Sequence, residues 1–100
     1  NFVIVIDKKG RNKMKLGNFI RVENMLGRAN QFVIYTDQGT VFSSYGKNIC
    51  AKFDGRIYLD EKYYNFSKTT SQYRNLFLGK ITADVEKKVK SGHYVLVDMN

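Results

Sequence analysis

The chain has 100 residues, 43% of them apolar and 14% aromatic, with 17 Lys and Arg against 9 Asp and Glu for a net charge of +8. That length suits one domain with one core, and that apolar content excludes a disordered chain. The single cysteine, Cys50, excludes an internal disulfide and a closed cysteine-based zinc site, and no apolar run approaches the ~20 residues of a membrane-spanning helix.

The N-terminal run Phe2-Val3-Ile4-Val5-Ile6 is β-branched and aromatic, as in a strand buried on both faces or docked into a sheet. It lacks the basic-then-apolar-then-small order of a signal peptide, so a reducing, cytoplasmic setting is expected. Asp7 to Lys15 is nearly devoid of apolar residues and reads as a basic loop or hairpin tip. Leu16, Phe19, Ile20 and Leu26, with Val22 and Met25 between them, fit a broad helical face ending before Gly27. Phe19 to Val22 also fits a short strand, and the helix is preferred.

From Gln31 onward, β-rich runs alternate with turn signals. Strands are expected at Gln31–Thr36, Thr40–Tyr45, Ile49–Phe53 and Arg56–Asp60, separated by Asp37-Gln38-Gly39, Gly46-Lys47-Asn48 and Asp54-Gly55, the last a favoured type I′ dipeptide. Gly46 also fits a bulge in one bent strand. After Tyr63-Tyr64-Asn65-Phe66 the period changes to helical. Thr69 and Gln72 have capping-box spacing, Tyr73, Leu76 and Phe77 lie on one face, and Gly79 closes the helix. Thr82 caps a second helix with acids early and lysines late, Gly92 ends it, and Tyr94 to Val97 forms a last strand. The expected fold is α+β: an antiparallel meander with two to three short helices packed on one face, all in a single domain spanning 1–100. Within it lie a basic segment (8–28), a core (31–78) and a C-terminal helix and strand (80–99).

No arrangement of residues suits catalysis, and no cofactor is implied. His93, after Ser91-Gly92, reads as a cation at a helix end, and Cys50, between Ile49 and Ala51, as a buried inert thiol. Asp54, Asp60 and Glu61 are the only acids clustered in a turn-rich region. A metal-dependent nuclease would need such carboxylates to converge, but a turn and a strand end explain them. No metal site is therefore expected.

Charge placement says more than total charge. Lys8, Lys9, Arg11, Lys13, Lys15, Arg21 and Arg28 stand against Glu23 alone, a local net of +6 (seven minus one), whereas residues 29–86 hold seven basic and six acidic residues. Closely spaced cations neutralise phosphates without base contacts, so these seven are the candidate site for nucleic acid or another anionic partner. The plainer reading is a solvated lysine-rich loop. A second contact is expected at Lys62, Tyr63, Tyr64, Lys68, Tyr73 and Arg74, where aromatics interleave with cations as on a single-strand stacking platform, although such aromatics also suit a core.

Between Ser44 and Leu78 the pattern Ser44-Tyr45, Ile49, Ala51, Ile57-Tyr58-Leu59, Tyr63-Tyr64-Asn65-Phe66-Ser67-Lys68-Thr69-Thr70-Ser71 and Arg74-Asn75-Leu76-Phe77-Leu78 resembles a family of small uncharacterised proteins from phages and plasmids of Gram-positive bacteria. The resemblance covers about a third of the chain and implies origin, with no activity or site to carry over. Its residues read as a folding signature, with Ser67, Thr69 and Thr70 as caps and Tyr63, Phe66, Leu76 and Phe77 as core. The leading expectation is a non-enzymatic phage-type accessory protein that engages nucleic acid or a nucleoprotein complex in the host cytoplasm. The alternative is an inhibitor of a host machine (restriction, CRISPR or transcription) acting by direct protein binding, with no membrane role and an undetermined oligomeric state.

Overall fold

The structure, a computed structural model, describes residues 4–6 and 9–100. Lys8, and Phe2 and Val3 of the expected N-terminal strand, lie outside these. The chain forms β1 (Ile4–Ile6), β2 (Asn12–Met14), β3 (Phe19–Asn24), β4 (Gln31–Thr36), β5 (Gly39–Ser44), β6 (Lys47–Phe53), β7 (Arg56–Asp60), α1 (Lys68–Leu78), α2 (Thr82–Lys90) and β8 (Tyr94–Val97). β3 to β8 make one six-stranded sheet in chain order, antiparallel except for the parallel β7–β8 pair that the two helices connect. The α+β meander with helices on one face is thus the observed fold.

Alternation along the strands divides the apolar residues between the two faces of the sheet. Val33, Phe42, Cys50 and Leu59 are in register on one face, and Ile34, Val41, Ala51 and Tyr58 on the other. The first face carries the helices: Phe42, Ile49, Cys50, Leu59 and Tyr94 pack with Val85, Tyr73, Phe77 and Val89. Ile49 reaches this group through a bulge, since Phe42 pairs with Cys50 while Ser43 pairs with Asn48. The second face carries the β1–β2 hairpin, whose Ile4 and Met14, with Leu16, pack on Val41, Ala51, Tyr58 and Val97. The molecule is therefore three layers deep, with the large sheet in the middle.

Several local expectations change. Residues 16–26 are not a helix. Phe19 to Asn24 pair with β4, and tertiary pairing overrides the helix-like spacing of Leu16, Phe19, Ile20 and Leu26. The strand at the N-terminus is not buried on both faces, because Ile6 is exposed. The second turn is Tyr45-Gly46, both at positive φ, and the bulge lies at Ile49. The helix caps shift as well. Ser67, not Thr69, caps α1, its Oγ accepting from the Thr70 N–H at 3.0 Å. Ile81 precedes α2 without a side-chain cap, and the Thr82 hydroxyl accepts instead from Asn75 Nδ2 at 2.9 Å. Gly79 closes α1 in the left-handed conformation, with Lys80 N–H bonded to Asn75 C=O at 3.0 Å. Phe66 and Leu76 are exposed rather than core.

One more device positions the N-terminal layer. β2 meets the chain just past β8, where Lys13 and Asp98 form a parallel bridge, Met14 N–H donates to Asp98 C=O and Asp98 N–H to Asn12 C=O, both at 2.8 Å. The chain then crosses the sheet to β3 on the opposite edge, held where Asn18 N–H donates to Asp37 Oδ1 at 2.7 Å. Gly17 lies so close to the Asp37 and Gln38 side chains that a Cβ has no room there.

Candidate functional site

Alternation in and just after β2 decides where its cations go. Met14 is buried and Leu16 packs inward, which turns Lys13 and Lys15 away from the core. Lys9 and Arg11 are exposed on the hairpin turn, around Gly10 at positive φ. Lys13 is also a structural cation: its Nζ donates to Asn100 C=O at 2.6 Å and to Asp98 Oδ2 at 3.3 Å. The Asn100 N–H on Asp98 Oδ1, followed by Lys13, holds the Asp98 carboxyl below the usual carboxylate range against a smaller opposing effect of burial, and Arg11 adds a weaker pull in the same direction.

The remaining two cations of the expected cluster lie elsewhere. Arg21 is on edge strand β3, in register with Tyr35 and so on the helix-side face, while Arg28 is exposed in the turn before β4. Arg21 pairs with Glu23 and lies 4.0 Å from the centroid of the Tyr35 ring. The six described members of the cluster thus form two groups: Lys9, Arg11, Lys13 and Lys15 on the hairpin layer, and Arg21 with Arg28 at the far edge.

The second contact is also reshaped. Tyr63 is half-buried, with Lys47 Nζ 5.1 Å and Lys62 Nζ 5.5 Å from its ring centroid and Phe66 edge-on at 5.7 Å. Tyr64 turns its hydroxyl to Glu86 Oε1 at 3.5 Å, and burial first, then Glu86, raises its pKa. Tyr73 packs against the helix-side core, and Lys68 is exposed at the start of α1. Arg74 departs from expectation. It is fully buried, its Nη1 donating to Tyr64 C=O at 2.7 Å and to Asn65 Oδ1 at 3.2 Å, and its Nη2 to Asn75 Oδ1 at 2.9 Å. A guanidinium so enclosed makes no surface contact. Lys47, which joins Lys62 at Tyr63, was not singled out in the sequence. Its only local mark is the Tyr45-Gly46 turn that brings the start of β6 beneath the β7–α1 junction.

The acids do not converge. Asp54 sits at positive φ in its hairpin turn, and Glu61 is exposed. Asp60 is buried and accepts from the backbone N–H groups of Met99 at 2.8 Å, Tyr63 at 2.8 Å and Lys62 at 3.0 Å, which joins β7, the following turn and the C-terminal residues. Among the described residues no three His, Cys, Asp or Glu side chains come together as metal ligands would. Cys50 is fully buried, and burial pushes its thiol pKa up, away from the reactive thiolate. His93 is exposed, its Nδ1 2.6 Å from Ser91 Oγ. Among the described residues no helix is long and apolar enough to cross a membrane.

A family model described as a family of unknown function (DUF8033) matches residues 14–93. No curated protein and no solved structure matches the chain.

Proposed function

For this chain, which belongs to the DUF8033 family, we propose binding to nucleic acid or a nucleoprotein complex through the outer face of the β1–β2 layer. The observation that carries the reading is the alternation that buries Met14, packs the half-buried Leu16 inward and leaves Lys13 and Lys15 outward beside Lys9 and Arg11. Cations spaced along an extended ribbon follow a phosphate backbone without reading bases. Tyr63, with Lys47 and Lys62 above its ring, offers a second, sequence-tolerant contact on the helix side. Phage or plasmid origin belongs to the same reading.

Fluorescence anisotropy with single- and double-stranded oligonucleotides over a salt series tests it. Affinity should fall as salt rises, with a log–log slope of about −0.9 per phosphate neutralised on duplex. Replacing Lys9, Arg11 and Lys15 together by Ala should weaken binding and flatten that slope. Absence of binding at low salt, or binding indifferent to the triple substitution, rejects the reading.

Exposed Ile6 on the same ribbon favours a second reading, in which the layer docks on an acidic protein surface of a host machine and inhibits it. A stoichiometric partner that survives nuclease treatment in a pull-down supports this reading over the first.

A further inference from the structure

β3 is an edge strand with β4 on one side and, among the described residues, no strand on the other. Open edges are usually blunted by charged side chains, a proline, a bulge or a cover, and the bulge between Phe19 and Arg21 leaves the regularly paired stretch from Arg21 to Asn24 open. β3 presents Phe19, Ile20 and Val22 at 65%, 61% and 49% exposure, with Leu26 just beyond at 74%. Its two charges, Arg21 and Glu23, are of opposite sign and stand two residues apart on one face.

The backbone bonding fixes which residues are open. Met25 N–H donates to Gln31 C=O. Bonding direction alternates along an antiparallel ladder, so Glu23 and Arg21 also aim at β4, while Val22 and Asn24 turn their N–H and C=O outward. We propose that β3 is the pairing edge for a second copy of this chain, antiparallel about a two-fold axis at Val22, which joins two six-stranded sheets into one.

The strand's own charges select that register. With the axis at Val22, Arg21 of each copy faces Glu23 of the other, in the non-hydrogen-bonded pairs where cross-strand side chains approach most closely. An axis at Arg21 or at Glu23 would set like charges opposite each other. The two Val22 residues exchange N–H···O=C bonds and bury each other's side chains on the hairpin-side face. This inference is independent of the nucleic-acid reading.

Light scattering coupled to size exclusion, on the full chain over micromolar to millimolar concentrations, tests it. The unmodified protein should rise from 11.6 kDa to twice that mass. Arg21→Glu and Glu23→Arg should each stay at monomer mass, since two acidic or two basic side chains then face their own kind. An equimolar mixture of the two variants should recover the doubled mass, because the acidic pair of one meets the basic pair of the other, and a variant unable to fold would not recover. A monomer at all concentrations, a dimer indifferent to both substitutions, or a mixture that stays monomeric would overturn the proposal.

Discussion

Arg74 is the largest fully buried side chain described, and its hydrogen-bond acceptors are all neutral. Burial pulls its pKa below the ordinary arginine value, with Cys50, Glu86 and Tyr64 opposing. An arginine nevertheless stays charged at neutral pH. The planar fork reaches the Tyr64 carbonyl, Asn65, Asn75 and Thr82 together, which ties the turn before α1 to the start of α2. Arg74→Met removes the donors to the Tyr64 carbonyl and Asn75 Oδ1, while Asn65 Oδ1 keeps Ser71 Oγ and Thr82 Oγ1 keeps Asn75 Nδ2, and should lower stability by about 3 kcal/mol. Arg74→Lys should recover little, because an ammonium on one stem cannot span acceptors set for a fork. Urea midpoints measure both, and a loss below about 1 kcal/mol for Arg74→Met would contradict this account. In the sequence Arg74 reads as a surface cation because charge argues for exposure. The stripe Thr70, Arg74 and Phe77 does fall on one helical face, but nothing local reveals that a carbonyl ten residues earlier waits for the guanidinium.

At the scale of elements, those with local causes were legible and those held by distant partners were not. Asp54-Gly55 and Gly79 need only their own φ values, and Gln31–Thr36, Arg56–Asp60 and Tyr94–Val97 match the strands read from alternation and turn signals. β3 failed because its spacing of apolar residues satisfies a helix, and only pairing with β4 decides otherwise. The basic segment split for the same reason: residues close in sequence end on the hairpin layer over one face of the sheet and at the sheet's far edge. The start of α1 offers a prediction. Ser67 Oγ accepts from Thr70 N–H and lies 2.9 Å from Thr70 Oγ1, which in turn lies 2.8 Å from Ser44 Oγ on β5. Ser67→Ala should cost about 1–2 kcal/mol, and Thr69→Ala much less. In thermal unfolding the first should shift the midpoint by about 4–8 °C per kcal/mol. Equal shifts for the two would restore Thr69 as the cap.

For the molecule as a whole, the three layers close through Lys13, Asp98 and Asn100. Because the folded Asp98 pKa lies below its unfolded value, the stability this carboxylate contributes is complete above the unfolded value and is lost as pH falls through the folded one. The urea midpoint of the unmodified protein should exceed that of Asp98→Asn by a constant margin above about pH 5, and the margin should shrink below about pH 4. A margin that held at acid pH would mean that charge plays no part in the closure.

That closure also has a direction in time. β3 to β7 pair neighbour with neighbour, so each hairpin can form as it is made, whereas Lys13 waits for a partner 85 residues further along. At about 5–20 residues per second on the ribosome, the wait is roughly 4–17 s. The basic hairpin is therefore synthesised before the sheet it packs on and is the last to be seated. Throughout that interval its lysines and its apolar underside are open to whatever the emerging chain meets.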